Sequence, residues 1–89
     1  MRSKRPGSAG NLDTWGWSLR QAGRLPEAEK VLRQAVAAGP DDMQTLLHLG
    51  MALADRGTRA EARTILERVA GQMGDEDLAR QARQRLEKP

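Results

Sequence analysis

The sequence predicts an all-α fold: two copies of one helix-turn-helix unit, stacked side by side and closed by a fifth helix. Three observations carry this. Ala, Leu, Arg, Gln and Glu, which favour helices, dominate, and the only aromatic residues are Trp15 and Trp17. Sliding the chain by 34 residues superposes Leu12 on Leu46, Gly16 on Gly50, Leu19 on Leu53 and Gly23 on Gly57. The same shift superposes Glu27 on Glu61, Ala28 on Ala62, Leu32 on Leu66 and Asp41 on Asp75. Within each copy the apolar residues step by three and four, the period of a helix that buries one face.

The first helix, over 11–22, places Leu12, Trp15, Gly16 and Leu19 on one side and ends at Gly23. The second, 26–38, opens on Pro26, suited to a first turn, and carries Ala28, Val31, Leu32, Ala35 and Val36 up to Gly39-Pro40. The third, 42–55, starts from Asp41 or Asp42 as N-cap, with Gln44 as a capping partner, and repeats the apolar stripe as Leu46, Leu49, Gly50 and Leu53. The fourth, 59–71, opens on Thr58 and Glu61, spaced as a capping box, and carries Ala62, Ile65, Leu66 and Val69. The fifth, 76–87, is capped by Asp75. Leu78, Ala79, Ala82 and Leu86 form its apolar side, and Arg80, Arg83, Gln84 and Arg85 a solvated one. The terminal helix of a stacked array needs that two-sidedness.

These residues resemble the tetratricopeptide repeat (TPR), a helix-turn-helix unit of about 34 residues. Trp15-Gly16 and Leu49-Gly50 match its bulky-small pair, Leu19 and Leu53 the bulky residue one turn on, and Gly23 and Gly57 the turn. Ala28, Leu32 and Ala35 match its second helix, as do Ala62, Leu66 and Val69, and Pro40 matches the closing proline. Val69 and Gly74 depart from the pattern, as suits a last repeat. The resemblance implies an α-α superhelix: a basic, disordered tail over 1–8, repeats over 9–42 and 43–74, and a cap over 75–89. The segment from Asn11 to Trp17, with His48-Leu49 and Glu61-Ala62-Arg63, is also similar to the C-terminal repeats of bacterial TPR proteins associated with exopolysaccharide export and surface-protein sorting.

No enzyme is expected. The chain has one histidine, no cysteine and no tyrosine, and no glycine-rich phosphate loop. No cofactor or metal is expected either: Asp41-Asp42 and Asp75-Glu76-Asp77 read as helix starts, where negative charge is favoured. The net charge of +3, from 15 basic and 12 acidic residues, is a mixed surface. Nucleic acid is therefore the weaker reading, resting on the basic tail and the arginines of the fifth helix. No segment has the apolar length of a membrane span or a secretory signal. As written the chain is expected in the cytoplasm, or in the periplasm as a piece of an exported parent.

What remains is protein or peptide binding. In the TPR arrangement the first helix of each repeat lines the concave face. The resemblance places Trp17, Arg20, Gln44, Leu47, His48 and Met51 there: an apolar strip of Trp17, Leu47 and Met51 rimmed by Arg20, Gln44 and His48. The carboxylate clamp of some family members is not implied, because Asp13 and Trp17 occupy its lysine and asparagine positions. Trp15 and Trp17 project about 200° apart on a helix, so Trp15 is expected in the core and Trp17 on the concave side. The alternative is a structural repeat with no separate ligand site, in which the open side of the first repeat forms a homodimer.

Overall fold

A computed structural model describes residues 9–72 and 74–87. The basic tail over 1–8 lies outside the described residues. Five helices follow one another: α1 (Ala9–Gln21), α2 (Leu25–Ala38), α3 (Met43–Asp55), α4 (Arg59–Ala70) and α5 (Glu76–Glu87), with no strand among the described residues. Each boundary falls within two residues of the sequence expectation.

The turns explain the agreement. Gly23 and Gly57 both adopt left-handed backbone, with φ of 83° and 87°. At the first, Arg24 N–H donates to Leu19 O and Gly23 N–H to Arg20 O. At the second, Thr58 N–H donates to Leu53 O and Gly57 N–H to Ala54 O. These are paired Schellman closures at equivalent positions, and they satisfy helix-end carbonyls that would otherwise lack partners. Two of the three expected caps form. Asp42 accepts from Gln44 N–H (3.1 Å) and Thr45 N–H (3.3 Å), and Asp75 accepts from Leu78 N–H (3.1 Å). The capping box of α4 does not: the Thr58 side chain makes no cap hydrogen bond. Glu61 instead receives both Nη atoms of Arg33, each at 2.8 Å.

Packing follows the small residues. A Cβ on Gly16 would stand 2.5 Å from Leu32 Cγ, and one on Gly50 2.9 Å from Leu66 Cγ. The leucine of each second helix therefore seats in a hollow that the glycine of the first helix leaves. Leu32, Leu49, Ala52, Leu53 and Ala62 form one buried cluster; Leu46, Leu47, Leu66, Val69 and Ala82 form another. Val36 and Ile65 touch both and join them. The fifth helix closes the second cluster with Leu78, Ala82 and Leu86.

Trp15 corrects an expectation. It is 56% exposed, whereas Leu49, its counterpart in the second repeat, is 3% exposed. The reason is positional. Helix α2 packs against α3, while among the described residues no helix precedes α1 to cover the same face there.

The stack bends. Helix α1 touches α3 and α3 touches α5, but no Cα of α2 comes within 8 Å of one in α4. The odd-numbered helices thus line the inner, concave side. The outer side is spanned by side chains: Arg33 reaches Glu29 (2.8 Å) and Glu61, and Arg56 reaches Glu29 (2.7 Å). Burial pushes the Glu29 carboxyl up, but hydrogen bonds from Arg33 and Arg56 outweigh it and hold the group below its ordinary value. The Arg33 hydrogen bond holds Glu61 low as well.

Carboxylates whose folded pKa is depressed contribute stability that is present above the unfolded value and lost as pH falls through the folded one. The melting temperature should therefore be insensitive to this network from pH 7 to 5 and fall below the ordinary glutamate value of 4.5. A Glu29→Gln/Glu61→Gln variant should melt lower than the parent at pH 7, by a shift equivalent to about 1 kcal/mol for pairs this exposed. The gap should close by pH 3. A gap that stays constant across the titration would show the network contributes nothing electrostatic.

Candidate functional site

On the concave side, Asp13, Trp17 and Arg20 of α1 recur at i, i+4 and i+7, a spacing that puts them on one stripe. Gln44, His48, Met51 and Asp55 of α3 form the parallel stripe. The two stripes interlock. The Trp17 and His48 rings stack with centroids 4.1 Å apart and planes 26° apart. The Arg20 guanidinium carbon lies 4.6 Å from the Trp17 ring centroid, within the range of a cation–π contact.

Carboxylates fix this arrangement from behind. Asp13 Oδ1 lies 2.6 Å from His48 Nδ1, and Asp13 is buried. An ionised carboxylate only accepts, so the proton of the imidazole sits on Nδ1. Arg20 Nε donates to Asp55 Oδ2 at 2.7 Å, and Arg85 of α5 donates to Asp55 Oδ1 at 3.2 Å. Asp55 thereby ties α1, α3 and α5 together across the inner face. The Asp13–His48 and Arg20–Asp55 pairs both span 35 residues, one repeat plus one position.

Of the six residues expected on this face, Trp17, Arg20 and His48 come together in one stack. Gln44 is exposed at the start of α3, and Met51 is half-buried against the second core cluster. Leu47 is different: at 1% exposure it is core, covered where α5 docks. The strip anticipated from Trp17, Leu47 and Met51 is therefore not continuous, and the inner surface is aromatic and charged instead. Arg85 was placed on the solvated side of α5. Its spacing, three residues after Ala82 and seven after Leu78, was the available sign that it borders the packed face.

Among the described residues no three His, Cys, Asp or Glu side chains are grouped to hold a metal ion, and no helix is long and apolar enough to cross a membrane.

The tetratricopeptide repeat family model matches residues 14–77, from within α1 through α4 to the start of α5. The chain belongs to the tetratricopeptide repeat family. Members of that family are generally protein-interaction modules and generally non-catalytic. No curated protein and no solved structure matches the chain.

Proposed function

We propose that the chain is a non-enzymatic binding module whose concave face holds a peptide or helix of another protein. Its functional division is two repeats, 9–42 and 43–74, and a cap from residue 75. The observation that carries this reading is the Trp17–His48–Arg20 stack, partly exposed and held in place by Asp13 and Asp55. Tryptophan and arginine are the side chains that most often dominate interface energetics. A ring already fixed in position loses little freedom when a ligand covers it. Gln44 and Met51 extend the surface along α3, and Leu47 supports it from the core.

A second reading has its own observation. The open side of α1, with Trp15 exposed, is an apolar surface that a second copy of the chain can cover.

Peptides selected from a displayed library against the folded chain separate the two. Trp17→Ala should weaken the selected peptides by about 30-fold or more, the equivalent of roughly 2 kcal/mol for an aromatic anchor. Trp15→Ala should leave their affinity unchanged. Should the selected peptides bind Trp17→Ala as tightly as the parent, the inner face is not the site. Should sedimentation show a dimer that Trp15→Ala dissociates, the second reading takes its place.

A further inference from the structure

A hollow of about 280 Å³ lies away from the Trp17 stack, where the first turns of α4 meet the last turns of α5. Its floor is apolar: Ala62, Leu66 and Leu86, with the small Ala54 of α3 at one side. Its rim is basic, formed by Arg59, Arg63 and Arg85.

The arginines are not equivalent. Arg85 is committed to Asp55, as Arg20 is, and on the outer face Arg33 and Arg56 are committed to glutamates. Arg59 and Arg63 have no ion pair or hydrogen bond among the described residues and are exposed. They stand one turn apart on α4, where like charges face each other and repel. Glu87 also borders the hollow, yet it pairs with neither. Two guanidiniums with no partner among the described residues, beside an apolar floor, ask for a ligand with carboxylates beside an aliphatic group.

We propose that this hollow binds a short acidic peptide segment of a partner protein. One leucine-sized side chain would enter between Ala62, Leu66 and Leu86, and flanking carboxylates would meet Arg59 and Arg63. The volume sits near the lower end of small-ligand sites, roughly 300–1,000 Å³, which suits one or two side chains. A nucleic acid fits less well. No aromatic side chain borders the hollow to stack a base, and its apolar floor, which suits a leucine, offers a nucleotide nothing.

The probe is a fluorescein-labelled, C-terminally amidated pentapeptide of sequence Glu-Asp-Leu-Asp-Glu, titrated into the full chain and followed by anisotropy. Methyl NMR of the leucines and alanines reports where it sits. Saturable binding is expected, with shifts at Ala62, Leu66 and Leu86. Serine in place of the peptide's leucine should weaken binding by about tenfold or more, the loss of one buried aliphatic side chain. Arg59→Glu/Arg63→Glu should also weaken it by about tenfold, because two attractive contacts become repulsive. Arg59→Gln/Arg63→Gln gives a milder loss if the reversal disturbs folding. Trp17→Ala should stay within about twofold of the parent, since Trp17 does not line the hollow and the Arg85–Asp55 pair remains in that variant. No saturation up to millimolar peptide would overturn the proposal. So would equal binding of the serine peptide, displacement by oligothymidylate with no contribution from the leucine, or shifts confined to the Trp17 face.

Discussion

Leu32→Ala is expected to destabilise the chain by about 3–5 kcal/mol, the upper part of the range for a fully buried leucine. Leu32 is 0% exposed, belongs to the first core cluster and fills the hollow over Gly16, so its loss opens a cavity that the crossing of α1 and α2 cannot close. A domain of this size has only about 5–15 kcal/mol in total. At roughly 4–8 °C per kcal/mol, the melting temperature should drop by at least about 12 °C. Trp15→Ala is the informative contrast. Although the side chain is far larger, it is 56% exposed, and its removal should cost less than about 1 kcal/mol, as for other surface positions. Thermal unfolding of the two variants side by side checks both values. If Trp15→Ala melts as low as Leu32→Ala, the open side of α1 is covered in solution by a second chain.

Ending the chain at Asp75 should have the larger effect. Without α5, Leu46, Leu47, Leu66 and Val69 lose the cover of Leu78, Ala82 and Leu86, and Asp55 loses Arg85. Leu53 belongs to the first cluster, which contains no residue of α5, and keeps its cover. The second cluster nevertheless becomes surface. Chains this short bury too small a share of their area to tolerate that loss. The expected product aggregates, or unfolds without a cooperative transition, when followed by circular dichroism and light scattering. A truncated chain that remains monomeric and melts like the parent would reduce α5 to an appendage.

The helices were legible because their signals are local. Gly23, Gly57, Asp42 and Asp75 fix ends through contacts within a few residues, and such contacts depend little on the rest of the fold. The misreadings all involve distant partners. Thr58 and Glu61 have the spacing of a capping box, but Arg33, 28 residues away, takes the glutamate. Periodicity separates Trp15 from Trp17 by half a turn. Which of them is covered depends on whether a helix lies in front of α1, and no pattern within α1 encodes that. Leu47 is similar: it sits in a cluster drawn from α3, α4 and α5, so its burial depends on helices other than its own. The inner face was legible as a set of residues and only partly in character. Trp17, Arg20 and His48 were identified, but the carboxylates that orient them act across the 35-residue spacing between repeats.

The Arg33 bridge has a mechanical consequence. Because α2 and α4 stand apart while α1, α3 and α5 touch, flexing the stack changes mainly the width of its outer seam. Arg33 fastens that seam with two parallel hydrogen bonds to Glu61, and Glu29 and Arg56 anchor it from either side. The clasp therefore resists further spreading of α2 from α4, the motion that would narrow the inner channel, and leaves the opposite motion, which widens it, comparatively unopposed. A stack fastened in this way is stiffer against closing its inner face than against opening it.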